Sequence, residues 1–381
     1  MEPAPDPDPA GPPVEPAPAP EPGPGSVPPD VYDPHPLIFT GTGKEYFRIW
    51  IVNLALTIVT LGVYSAWAKV RRLQYFYRNT QLAGVVFDYH GNPIAILKGR
   101  IVALILFGLY SAAGYVSVPV AIGIFVVLAA VLPWLISRSL RFRAHNSSYR
   151  GLRFAFHGTT REAYMAFLAL PIATVLTLLI MGPFWHHRLK RYQFANAAYG
   201  RTRFAMSTHV GDFYLAYLLA LMLGFGFLFV AFALLFGVAI AIAAIGVANG
   251  GSDAEPPLAL VLGLGFGFAL VYVMGMFAAR ALTNARIHNA VWNGLTLERC
   301  RFVSSVSPVR LFWILFTNLL GLIFTLGLYR PFAQVRLARY LTSTFTLVPR
   351  GSLDGFAAAD AEDVTAVGEE TADLFDFDIA F

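Results

Sequence analysis

The sequence predicts an all-α polytopic membrane protein of about seven transmembrane helices, six to eight, built from internal repeats with short β-hairpins between helix ends. Three observations lead there. The chain is 56% hydrophobic and only 13% charged, about half the charged share of a soluble domain. Residues 101–136, 213–247 and 258–279 contain no Asp, Glu, Lys or Arg, and a helical span needs about 20 apolar residues. Finally, the chain repeats itself. The alternation of an outer-membrane barrel is absent from the long apolar stretches.

Taken in order, the chain opens on a Pro-rich acidic tail, 1–36, with fifteen prolines, a composition that favours extended, disordered chain. A membrane domain over 37–353 follows, and an acidic tail, 354–381, closes the sequence. Candidate spans are 47–68, 101–115, 118–136, 163–184, 213–247, 258–279 and 311–329. The second and third share one apolar run, broken at GYVSVP around Pro119. The fifth exceeds a bilayer at 1.5 Å per residue, so it protrudes, tilts or breaks near Gly224 and Gly226. The closing GEETADLFDFDIAF carries Phe375, Phe377 and Phe381. It reads as a solvated tail or as an amphipathic arm docked on the chain's own basic loops.

Repetition organises the middle. Asn53–Arg71 and Asn318–Arg336 agree at 10 of 19 positions without a gap. A looser third copy ends in WHHRLKRY at Trp185–Tyr192. A second unit recurs as RAHNSSYRGL, Arg143–Leu152, and RIHNAVWNGL, Arg286–Leu295. The order is A-B-A-B-A, A being a single span and B a hairpin of two. Between them GVVFDYHGN, GLRFAFHGT and GRTRFAMS alternate apolar residues with Gly turns, which predicts short surface strands.

All 28 Lys and Arg lie between Lys44 and Arg350, while residues 1–43 and 354–381 carry only acids. In a membrane protein such cations are topogenic, and no nucleic-acid motif competes, so nucleic acid is excluded as a partner. Seven full spans divide them 12 against 16, a weak bias. If the A units dip and return at Thr-Leu-Gly, every basic loop shares one side. Only six apolar residues separate that turn from Lys69, however, so seven spans with the N-terminus outside is the expectation. Cys300 is the single cysteine and no signal peptide precedes the first span.

The stretch TLGVYSAWAKVRRLQYFYRNTQLAG followed by FDYHGNPIAILKGR, with FRAHNSSYRGLRFAFHG and the closing GEETADLFDFDIAF, resembles the YjgN-like family of bacterial inner-membrane proteins, a domain of unknown function. The resemblance covers 37–381. It implies a multi-pass protein of the bacterial inner membrane and brings no activity, cofactor or catalytic residue.

No catalytic signature survives inspection, so the expectation is a non-enzyme without cofactor or metal. Glu45 in GTGKE stands where a phosphate loop needs Ser or Thr. Gly263 and Gly267 lie inside an apolar span as a GxxxG packing ridge. His186 and His187 are adjacent and so diverge on a helix. Glu162 and Asp212 sit at helix starts, as caps.

Two candidate sites remain. The pairs Asn53/Thr60 and Asn318/Thr325 are seven residues apart, on one helix face, and suit either interhelical hydrogen bonding or a substrate path. Lys69, Arg71, Arg72, Arg336 and Arg339 follow the first and last spans and suit anionic lipid head groups. The reading is a non-enzymatic protein that binds membrane lipids, anionic ones in particular, or organises the envelope. A small-molecule transporter or channel is the alternative. Oligomeric state is left open.

Overall fold

A computed structural model of the protein describes residues 33–248, 258–298 and 300–349. Most of both acidic tails lies outside these residues. Ten strands alternate with helical segments: β1 (His35–Phe39), α1 (Gly43–Val59), α2 (Ser65–Arg78), β2 (Thr80–Leu82), β3 (Val85–Tyr89), α3 (Pro93–Val116), α4 (Val118–His145), β4 (Ser147–Tyr149) and β5 (Leu152–Phe156). Then come α5 (Thr160–Tyr164), a π-helical turn (Met165–Ala169), α6 (Leu170–Leu176), α7 (Gly182–Ala195), β6 (Ala197–Tyr199), β7 (Thr202–Met206), α8 (Val210–Ala248) and α9 (Leu258–Asn293). Last are β8 (Leu295–Leu297), β9 (Cys300–Ser304), α10 (Pro308–Phe324), α11 (Arg330–Ser343) and β10 (Phe345–Val348).

The strands form a closed antiparallel barrel in chain order, completed by β1 against β10 with His35 opposite Leu347. Because neighbours in sequence are antiparallel neighbours in space, odd strands run one way and even strands the other. Every helical segment links an odd strand to the next even one. All five helical hairpins therefore leave the same rim, and the four tight turns close the opposite rim. One backbone bond repeats at the base of each hairpin: Thr40 N–H to Asn79 O, His90 to Asn146, His157 to Asn196, Ser207 to Gly294 and Ser305 to Thr344, at 2.8–3.0 Å. The A and B repeats are thus one module, strand–hairpin–strand, with hairpins of two lengths.

The expected fold class needs correction. Among the described residues four helices, α3, α4, α8 and α9, are long and apolar enough to cross a membrane, instead of about seven. The strands expected as isolated hairpins close into a barrel. Alternation over three to five residues is too short to announce closure, and the closing pair joins opposite ends of the chain. The A units were misread because their apolar first arm is followed by a helix that returns: α1 reverses at Thr60–Gly62, α6 at Thr177–Leu179 and α10 at Thr325–Gly327.

The barrel interior is packed. Leu82, Tyr149, Leu152, Tyr199, Leu295 and Phe302 are among its buried residues, as strand alternation directs. Two buried hydroxyls are satisfied inside, Tyr149 Oη donating to Leu82 O and Tyr199 Oη to Tyr149 O, both at 2.8 Å. Helix α8 runs unbroken past Gly224 and Gly226. Gly263 and Gly267 meet no side chain among the described residues; the tight α8–α9 approach is Gly275 against Phe227.

Candidate functional site

The three short hairpins share one register without gaps. Thr42, Thr159 and Ser307 cap their first helices through side-chain oxygens, and Glu45 and Glu162 complete capping boxes in the first two. Tips coincide too. Leu61, Leu178 and Leu326 have φ of 49–51° and are 86–95% exposed. Gly62 and Gly327 follow at φ 94° and 92°, whereas the middle hairpin places Leu179 there at 70°.

Thr60 and Thr325 belong to these tips. Thr60 Oγ1 donates to Leu56 O at 2.7 Å and accepts the Tyr64 N–H at 2.9 Å. Thr325 does the same with Gly321 O and Tyr329 N–H, and Thr177 with Ala173 O and Met181 N–H. The remaining turn amides also find carbonyls: Leu61 reaches Ile58, Gly62 reaches Thr57, Val63 reaches Thr60 and Ser65 reaches Gly62. A reversal with every amide satisfied can sit in hydrocarbon, where an unpaired one costs several kcal/mol.

Asn53 and Asn318 occupy matching places in α1 and α10, both 6% exposed. Asn318 Nδ2 donates to Ala333 O at 3.3 Å, and its Oδ1 accepts from Arg336 Nη1, which also reaches Thr317 Oγ1 at 2.7 Å. Asn53 differs: its Oδ1 is buried and has no hydrogen-bond partner among the described residues.

The predicted head-group residues separate into four groups, one of them Arg336, the last unit's counterpart of Arg71, which is turned onto Thr317 and Asn318. Arg71 lies in a groove of about 550 Å³ between the arms of the first hairpin, with Arg48, Arg78, Ile49, Val52 and Tyr75. Its guanidinium lies 5.7 Å from the Tyr64 ring centre. The third-unit groove, about 870 Å³, holds Arg188 at the matching place, with Arg161 and Arg191, against Met165, Leu170 and Phe184. Arg188 stacks on Phe184 at 5.2 Å. Asn79 and Asn196, just past the second helices, line the two grooves at their barrel end, and Thr159 and Glu162 also line the larger one.

Lys69 and Arg72 line a different space, a cavity of about 440 Å³ among α1, α2, α3 and α11, with Arg100 and Arg330. Lys69 has its pKa lowered, first by burial and then by Arg100, Arg143 and Arg72. Arg339 is engaged in the frame: its Nη2 donates to Gly41 O at 2.9 Å, tying the last unit to the first. Arg141 binds Gly158 O at 2.8 Å in the same way. His186 and His187 turn to Tyr217 Oη and Thr208 O.

Arg48, Arg100, Arg161, Arg188 and Arg191 are not among the residues the sequence singles out. Arg188 is findable, since the third copy aligns on Arg71 without a gap. The meeting of Arg100 with Arg330 is not, because they join the cavity only through the packing of four helices.

Comparison with known proteins agrees on family and place. Residues 34–374 match the family described as bacterial protein of unknown function (DUF898). The chain is 31% identical over 148 residues to inner membrane protein YjgN of Salmonella typhimurium, covering 39% of this chain and 38% of that one. It is 30% identical over 140 residues to inner membrane protein YjgN of Escherichia coli O157:H7, covering 36% and 35%. The aligned stretch thus spans well under half the length of these curated relatives. No solved structure matches.

Proposed function

On the footing that the chain belongs to the DUF898 family of bacterial proteins of unknown function, we propose that it is a non-enzymatic scaffold of the inner membrane that holds anionic phospholipids in the grooves of its short hairpins. Its place in the inner membrane follows from its relatives and its four apolar helices. The supporting observation is register. Arg71 and Arg188 occupy the same place in two grooves that set cations beside apolar side chains, while Arg336, at that place in the last hairpin, is engaged by Thr317 and Asn318. A phospholipid joins a charged head to apolar chains, and an arginine fork suits its phosphate. Topogenic charge alone needs no fixed position.

Charge also orients the molecule. The hairpin segments 49–68, 101–137, 162–187, 211–279 and 311–329 contain no Lys or Arg, so every Lys and Arg among the described residues lies toward the barrel. With the hairpins leaving one rim, the positive-inside rule puts the barrel in the cytoplasm. The long hairpins α3–α4 and α8–α9 cross, and the short ones dip and return.

The transport alternative relied on the repeated polar pairs. Both threonines are occupied in turns and Asn318 is engaged by Arg336, which leaves Asn53 alone to favour it.

The test is the lipid that co-purifies. Replacing Arg71 and Arg188 by Gln should lower retained anionic phospholipid, since each such cation contributes about 1 kcal/mol near an anionic surface. Unchanged lipid, or an equal loss from Gln at Arg201 and Arg203, would mean that the charges serve topology alone.

A further inference from the structure

The cavity among α1, α2, α3 and α11 is chemically distinct from the grooves. Lys69, Arg72, Arg100 and Arg330 line it, and no carboxylate is among its lining residues. These cations come from three helices in three different units, so no single helix's topogenic charge explains their convergence. Arg100 is held in place by the Ser65 hydroxyl, and in the uncharged part of the lining Gln334 accepts from Tyr46 Oη at 3.0 Å. Arg72 and Arg330 both act on Tyr46, whose pKa is raised by burial against the pull of those two guanidiniums. Gathering like charges in a partly desolvated space costs free energy that a bound anion reverses.

Asn53 adds a second, independent feature. It lines the same cavity, is 6% exposed, and its Oδ1 lacks a donor. A buried acceptor left unpaired costs about 1–3 kcal/mol. Its counterpart Asn318, which does not line the cavity, is satisfied by Arg336 in the last hairpin, so of the two asparagines the one at the cavity is the one left open. Four cations and one acceptor together call for anionic oxygens beside a hydroxyl.

We infer that this cavity binds a phosphate ester bearing a free hydroxyl, as a phosphoglycerol does. The ester is carried on a lipid head group or taken up as a soluble phosphoanion. Its phosphate oxygens meet Lys69, Arg72, Arg100 and Arg330, and its hydroxyl donates to Asn53.

The full chain in phosphatidylcholine nanodiscs would be titrated with glycerol 3-phosphate. In a second arm, nanodiscs containing phosphatidylglycerol would be compared by native mass spectrometry for tightly held lipid. Binding in the first arm identifies a soluble ligand and binding in the second alone a head group; either supports the site. The R72Q/R330Q variant should weaken that binding by about tenfold or more, while R71Q/R188Q leaves it unchanged. Loss confined to R71Q/R188Q would support the groove reading and overturn this one. Should R72Q/R330Q not fold, Asn53→Asp sets a carboxylate among the same cations and must weaken the anion equally. Binding in neither arm, or binding indifferent to both cavity variants, overturns the inference.

Discussion

The backbone N–H of Tyr64 donates to the hydroxyl of Thr60 over 2.9 Å, across the reversal between α1 and α2. Through this bond and its own donation to Leu56 O, one threonine binds both arms of the hairpin. Thr177 and Thr325 repeat the arrangement. Replacing Thr60 by Val keeps the shape and removes the acceptor, leaving an amide unpaired beside lipid. We expect a loss of about 1–3 kcal/mol, with Thr60→Ser near wild type, read by thermal unfolding in one detergent.

Position two of the tip offers a contrast of sign. Gly62 and Gly327 sit at φ above 90°, while Leu179 bears a side chain at 70°. A left-handed conformation costs an L-residue about 1–2 kcal/mol. Gly62→Ala should therefore lower stability. Leu179→Gly should leave it unchanged or raise it by up to about 1 kcal/mol, part of the relief being lost to the freer unfolded chain. The same melts measure both, and a destabilised Leu179→Gly variant would refute the strain argument.

Arg339 and Arg141 make the same kind of clamp, each to the glycine carbonyl that leads into the next unit, Gly41 and Gly158. Charged donors to carbonyls contribute about 1.5–3 kcal/mol. Arg339→Gln should loosen the seam between last and first units. Hydrogen exchange of β1 and β10 should quicken more than that of β4 and β5, and Arg141→Gln should reverse that order. Equal exchange at both seams would remove the clamp role.

Asp88 provides a pH dependence. Burial works to raise its pKa, but the Arg78 hydrogen bond at 2.8 Å, the Tyr89 N–H and the charges of Arg78 and His90 outweigh it, so the net shift is downward. A folded pKa below the unfolded one stabilises above the unfolded value and is lost as pH falls through the folded value. The pair is a third or more exposed, so the contribution is screened. Asp88→Asn should lower Tm slightly at pH 7, with the difference vanishing on acidification; a difference that persists in acid would assign it to packing.

What was legible in the chain follows from physical range. Asn53 and Asn318 announced their equivalence through nine shared neighbours, and the A-B-A-B-A order is the order of the hairpins. Long apolar runs marked the four helices able to cross. Strands β3, β5 and β7 were visible as alternation next to Gly turns. Their closure was not, since pairing His35 with Leu347 leaves no local trace. Nor was the reversal at Leu61: a Thr-Leu-Gly turn looks alike whether the helix continues or folds back, and the six apolar residues before Lys69 argued wrongly for crossing. The cavity depends on Arg100 and Arg330 meeting Arg72, which only tertiary packing decides.

The central claim is that five hairpins leave one barrel rim and only the two long ones cross the membrane. Single cysteines in a Cys300→Ser background test it directly, with a membrane-impermeant thiol reagent on cells and on inverted vesicles. Cysteines replacing Ala83, Arg150, Arg201 and Glu298 sit in the four turns between successive strands, and all should label only from the cytoplasmic side. Cysteine at Tyr115, 93% exposed beside the connection between α3 and α4, should label only from outside, and at Leu61 from neither. Opposite-sided labelling of Ala83→Cys and Arg201→Cys would contradict the account, because the third-unit hairpin would then cross.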